Sequence, residues 1–174
     1  RTGIDSTEKR SEALDIFARM YAPLIGSGAV SDYLSQTGLD VLKGADILKT
    51  APQIYSSSVE YGGSPLAQWM KSVAQVHLAD FGTRVFYTGV NPGTFDTHAN
   101  QATTLPKLWA DVSTSISDFY EDLKEHNANE EVVILLFTEF GRRVQENGSG
   151  TDHGSGGVAF VIGDAVKGGL YGEY

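Results

Sequence analysis

The chain has 174 residues, 41% hydrophobic and 20% charged, enough for one globular domain with a buried core. Its net charge of −9 excludes a broad electrostatic grip on nucleic acid or an anionic membrane surface. No apolar run approaches the roughly 20 residues that span a bilayer, and the absence of cysteine rules out disulfides and thiolate metal sites. The chain begins Arg1-Thr2-Gly3, with no starting Met, signal peptide or lipidation motif, and so reads as a piece of a longer protein.

Residues 5–24 predict an amphipathic helix. Asp5 with Glu8 makes a capping box, and Leu14, Phe17, Met20, Tyr21 and Leu24 repeat at helical spacing until Pro23 and Gly26. A second helix is predicted over 31–49, with Leu34, Val41, Leu42, Ala45 and Leu48 on one side; Gly38 and Gly44 work against it. Residues 50–63 are a turn-rich connection. Residues 1–63 thus form a helical layer without a catalytic pattern.

Ser64-Pro65 is a strong helix start, with Ser as cap and Pro in the first turn. Leu66, Trp69, Met70, Val73, Val76 and His77 share a face of that helix, and Gly82 ends it; His77 reads as a half-buried packing residue rather than a ligand. The β-branched and aromatic run Thr83–Val90 predicts a strand. After the turn Asn91-Pro92-Gly93 comes a long helix over 103–126, where Trp109, Val112, Ile116, Phe119 and Leu123 recur every three or four residues. The unbroken apolar run Val132–Thr138 suits a strand covered on both faces.

Residues 84–138 therefore spell a βαβ unit with parallel strands and a right-handed crossover. A final strand, Val158–Ile162, is expected to run antiparallel at the margin. The expected class is α/β: a three-layer αβα arrangement with a mainly parallel sheet and an antiparallel edge strand, residues 64–174 forming the core of a single domain.

This topology brings chemistry to one sheet edge. Asp96 and His98 follow the first strand, Glu139 follows the second, and an antiparallel last strand returns His153 to the same side, with Asp152 a fifth candidate. Carboxylates and imidazoles bind Zn²⁺, Mn²⁺ or Fe without thiolate, and such an ion activates water or polarises a phosphoryl or sulfuryl oxygen. Arg142 and Arg143 offer bidentate contacts to an anionic substrate group. An equally open reading makes Asp96 a turn cap, pairs Glu139 with Arg142 and leaves Asp152-His153 in a solvated loop. Gly148-Ser149-Gly150 fits neither a dinucleotide fingerprint nor a Walker loop and reads as a flexible connection. No Gly-x-Ser-x-Gly elbow supports a serine hydrolase.

The series Phe95-Asp96-Thr97-His98-Ala99-Asn100-Gln101, a long helix, Thr138-Glu139-Phe140-Gly141-Arg142-Arg143, Gly-x-Asp-His-Gly at 150–154 and Lys167-Gly168-Gly169-Leu170-Tyr171-Gly172 carries a resemblance. It resembles the sulfatase-like family known as domain of unknown function 1501, placed in the alkaline phosphatase superfamily; the match covers about Ser64 to Gly172. The resemblance implies an alkaline phosphatase-like fold, present in part, and a metal-dependent hydrolase of phosphate or sulfate esters with an anionic small-molecule or polysaccharide substrate. A periplasmic or extracytoplasmic location is implied as well. By the same resemblance Asp96 and His98 stand for a first metal-binding pair, at shorter spacing than usual, and His153 for the histidine that returns to that metal. Glu139 stands where the Asp of a second pair would be, and Phe140 replaces its His. The nucleophile and an early metal-binding Asp are expected upstream of Arg1. The alternative is a binding or scaffold module that keeps the fold without the catalysis.

Overall fold

The computed structural model describes residues 7–172, which fall into two compact units that divide between Ile54 and Tyr55. In the first, α1 (Thr7–Tyr21) passes through a 3₁₀ turn (Ala22–Leu24) into α2 (Ala29–Ile54). The expected capping box rests on Asp5, which lies outside the described residues. Gly38 is the contact point of the helices: a Cβ there would sit 3.1 Å from the Phe17 ring, so glycine permits the close approach. The face that α2 buries is consequently not the aliphatic stripe expected of it. Ser35 and Gly38 are buried, while Leu34, Val41 and Leu48 are exposed. Ser35 spends its hydroxyl on the Ser31 carbonyl at 2.7 Å, which makes its burial tolerable.

The second unit is built on α3 (Pro65–Leu78) and α4 (Gln101–Glu125). Ser64 caps α3 by accepting from the Ala67 N–H at 3.2 Å, and Pro65 occupies the first turn, as its fixed φ favours. Leu66, Met70 and Ala74 of α3 meet Val112, Phe119 and Leu123 of α4 in one buried cluster. The α4 stripe is thus shared between a helix, a strand and the chain beside it: Val90, Phe95, Val132, Ile134 and Leu136 pack on the same cluster. Trp109 makes edge contacts with Phe95 at 5.4 Å and Phe160 at 5.8 Å between ring centroids. Trp69 is exposed, whereas His77 is half-buried beside Glu131 at 3.4 Å.

The strands pair differently from the βαβ expectation. β1 (Ile134–Leu136) pairs antiparallel with β4 (Phe160–Ile162), Leu135 opposite Val161, and β2 (Gly141–Glu146) forms an antiparallel hairpin with β3 (Thr151–Gly154). Thr83–Val90 runs as chain without a ladder partner, its Val85 86% and Tyr87 87% exposed. Among the described residues, then, no parallel pair is formed. The physical reason is that β-branched and aromatic side chains favour extended backbone but do not dictate which strand completes the ladder. The antiparallel β4 keeps the β2–β3 hairpin on the side where β1 ends. No helix among the described residues is long and apolar enough to cross a membrane.

Candidate functional site

Asp96 lies in the turn that follows Asn91-Pro92-Gly93, and its backbone N–H donates to the Gly93 carbonyl at 3.1 Å. His98 follows two residues later, just before α4, and His153 comes from β3. The three meet at a single atom. Asp96 Oδ1 lies 2.8 Å from His153 Nε2 and 2.9 Å from His98 Nε2. Both rings also pack on one another, with centroids 4.8 Å apart. The turn to His98 Nδ1 is taken by Asp152 Oδ1 at 3.3 Å, so both nitrogens of this ring face carboxylates.

The electrostatics follow from these contacts. The Asp96 carboxyl is held below its ordinary value, chiefly by the hydrogen bond from His153 and then by the charges of His98, His153 and Arg142. Asp152 is lowered too, first by the hydrogen bond from Asn147, then by that from His98, with Arg143 contributing charge. All three residues of the cluster are exposed. One ligand atom from each of Asp96, His98 and His153 falls within 4.8 Å of the others, a donor set of one carboxylate and two imidazoles that suits Zn²⁺ or Mn²⁺. Ligands of a tetrahedral ion at about 2.0–2.1 Å are about 3.3 Å apart. The contacts at 2.8 and 2.9 Å need only open slightly to admit one.

What holds His98 against β3 is the hairpin turn at residues 147–150. Asn147 Oδ1 accepts from the Ser149 and Gly150 N–H groups at 3.2 and 2.9 Å, and its Nδ2 donates to the His98 carbonyl and to Asp152 Oδ1, each at 3.1 Å. Ser149 accepts from the Asn100 and Gln101 N–H groups at 2.8 and 3.0 Å, filling the start of α4. Gly150 lies so close to this segment that a Cβ would fall 2.6 Å from the His98 carbonyl. The glycine run is therefore a pinned clasp and not the loose connection expected of it. Asn147 was the residue missed; an Asn ahead of Gly-Ser-Gly is the signature of a side chain that closes its own turn.

Two of the sequence candidates stand elsewhere. Glu139 lies exposed in the bend between β1 and β2 and joins no ion pair or hydrogen bond among the described residues. Its neighbour Phe140 turns inward instead and stacks on His153, rings 3.9 Å apart and 17° from parallel. Adjacent side chains of an extended connection point opposite ways, so seating Phe140 sends Glu139 outward. Arg142 is committed to the backbone: it donates to the Phe95 carbonyl at 2.6 Å and to the Thr151 carbonyl, with Asp96 Oδ1 at 3.8 Å. It braces the site from behind rather than reaching for an anion. Arg143, next in β2, is exposed.

No curated protein and no solved structure matches the chain. The model of a protein family of unknown function, DUF1501, matches residues 52–174, the span that carries the whole Asp96–His98–His153 cluster and its clasp. The chain belongs to this family.

Proposed function

We propose that the Asp96–His98–His153 cluster holds one divalent transition-metal ion, and that the chain contributes this centre to a hydrolase of phosphate or sulfate esters. The observation that carries the reading is the convergence of two imidazole nitrogens on one carboxylate oxygen, at 2.8 and 2.9 Å, on an exposed surface. Exposed acid–histidine contacts of this kind contribute little to stability, so stability alone explains poorly why three elements converge there. The chemistry is that of a site with room for an incoming ligand, because three protein donors leave a tetrahedral ion one open position. A bound ion supplies Lewis acidity toward an ester oxygen or a coordinated water. The residues do the rest: Asp152 and Asn147 orient His98, Phe140 fixes the plane of His153, and Arg143 supplies positive charge for an anionic substrate. Among the described residues no Ser or Thr hydroxyl bonds to this cluster, so the proposal assigns the chain metal holding and orientation and leaves the attacking group unassigned. The sulfatase-like, parallel αβα architecture belongs to the same proposal and rests on the motif resemblance.

The stacking of Phe140 on His153 favours a second reading, a metal-binding module without turnover, because an apolar ring occupies the flank where a second metal would need a donor. Metal content separates the readings in two steps. Protein purified with Zn²⁺ or Mn²⁺ is expected to hold one equivalent more than the His153→Ala variant; equal content in both rejects the metal centre. Aryl phosphates and aryl sulfates supplied to the metal-loaded chain then decide between them. Turnover lost in His153→Ala supports the hydrolase, and bound metal without turnover supports the module.

A further inference from the structure

We propose that Asp122, Glu125 and His126, on the last turn of α4, form a second divalent-cation site, separate from the Asp96 cluster. The three residues stand at i, i+3 and i+4 and so share a helix face. One ligand atom from each lies within 4.8 Å of the others.

The sharpest observation is Asp122 itself, which is 0% exposed. Its two oxygens are treated unequally. Oδ2 accepts from the hydroxyls of Tyr55 and Tyr61, each at 2.6 Å. Oδ1, equally buried, accepts no hydrogen bond. A buried carboxylate oxygen without a partner is costly and calls for an explanation. Here Oδ1 faces His126 Nδ1 at 3.3 Å. That is about the ligand separation on a tetrahedral Zn²⁺.

His126 is prepared on its far side as well. Its Nε2 faces the Ser56 carbonyl at 3.0 Å, and a carbonyl only accepts, so Nε2 carries hydrogen. Nδ1 faces the Asp122 carbonyl, which also only accepts, so in the metal-free chain it carries hydrogen as well. A bound cation replaces that proton on Nδ1, while Nε2–H stays held by a backbone carbonyl, the usual way in which a ligand histidine is oriented. Nδ1 is surrounded by oxygen: the Asp122 carbonyl at 2.8 Å besides Oδ1. Glu125 is turned to the same corner by Ser57 and Ser58, whose hydroxyls donate at 2.8 and 3.1 Å and whose Ser58 N–H reaches both carboxylate oxygens. The negative end of the α4 dipole points at this corner and favours a cation. Two carboxylates and one imidazole, with the free carboxylate oxygen anchored by tyrosine hydroxyls on its partner oxygen, select a borderline ion such as Zn²⁺. Such an ion ties residues 55–58 to the end of α4. A purely hydrogen-bonded staple is the competing explanation.

The test uses the full chain carrying Asp96→Ala and His153→Ala, exposed substitutions that abolish the first cluster and spare the core. Zinc is titrated calorimetrically while the imidazole nitrogens are followed by ¹⁵N NMR. The proposal expects one remaining equivalent of Zn²⁺, a shift of the His126 Nδ1 resonance on binding, and a melting midpoint that rises with zinc concentration. Adding His126→Gln removes that equivalent. Zinc that does not bind the Asp96→Ala, His153→Ala chain, or that binds it with the His126 resonance unmoved, overturns the site and leaves the staple. The NMR readout decides the matter even where His126→Gln fails to fold. The two metal readings fail separately: the first falls if Asp96→Ala and His153→Ala remove no zinc, the second if they remove all of it.

Discussion

The two carboxylate–histidine clusters are made of the same chemistry and differ in everything that supports it. The Asp96 cluster is exposed, gathers residues from a turn, a helix start and a hairpin strand, and depends on the Asn147–Gly150 clasp for its geometry. The Asp122 cluster sits on one helical turn, with its central carboxylate buried and its partners, Tyr55 and Tyr61, packed against the core of α3 and α4. The first is therefore adjustable and open to an incoming ligand. The second is rigid, and any ion held there is structural.

The largest expected effect strikes the support that both share. Phe119 is 2% exposed in the α3–α4 core, and Phe119→Ala should cost about 3–5 kcal/mol in urea unfolding. A loss below about 1 kcal/mol would mean that α4 does not rest on this stripe. Next, Tyr61→Phe removes one of the two hydroxyls on Asp122 and should cost about 1.5–3 kcal/mol, the range for a hydrogen bond to a charged group. Its metal-binding consequence should appear at His126 and leave the His98 and His153 resonances unchanged. Gly150→Ala should act in the opposite direction across the comparison. Overpacking against the His98 carbonyl should cost about 1–3 kcal/mol, disturbing His98 while His126 stays put.

Smaller effects appear in the pH dependence of stability, measured free of metal. Asp96 and Asp152 are held below their ordinary 3.8 in the folded chain. Their contribution is complete above that value and is lost as pH falls through the depressed folded values. His126 is raised from its ordinary 6.5, chiefly by the hydrogen bond to the Asp122 carbonyl, with Asp122 and Glu125 adding charge. Its contribution is complete below 6.5 and is lost as pH rises through the raised folded value. Asp96→Asn should flatten the acid limb alone, and His126→Gln the limb above 6.5 alone. Melting curves that respond on the same limb to both would break the distinction between the clusters. The smallest effect belongs to Arg143→Ala, an exposed change within about 0.5 kcal/mol of neutral for stability.

Local patterns in the sequence were legible where a single element decides the outcome. Ser64-Pro65 starts α3, and the Trp109–Leu123 periodicity marks α4, because caps and helical faces are local properties. Pairing was legible only in part: the last strand runs antiparallel, as expected, but no parallel pair is formed among the described residues. Thr83–Val90 has strand chemistry, yet a ladder needs a partner that propensity does not name. Burial on α2 was misread because Gly38 admits the Phe17 ring and so draws Ser35 inward in place of the aliphatic residues. Asp96 and His98 stood out as polar residues beyond an apolar run, and His153 as the residue that an antiparallel last strand returns to the same side. Glu139 stood out as a polar residue beyond an apolar run too, but the turn seats Phe140 on His153 instead. The Asp122-x-x-Glu125-His126 spacing lies on a helix and drew no reading from the sequence, because nothing local says that Tyr55 and Tyr61 bury Asp122.

Anomalous diffraction at the zinc edge, on crystals of the full chain grown with Zn²⁺, tests the central claim most directly. The account predicts a peak bound by Asp96 Oδ1, His98 Nε2 and His153 Nε2, with the three atoms moved apart from their 2.8 and 2.9 Å contacts to about the 3.3 Å of tetrahedral ligands. Zinc-saturated crystals that show no peak there, with the three side chains still at those contacts, would contradict it.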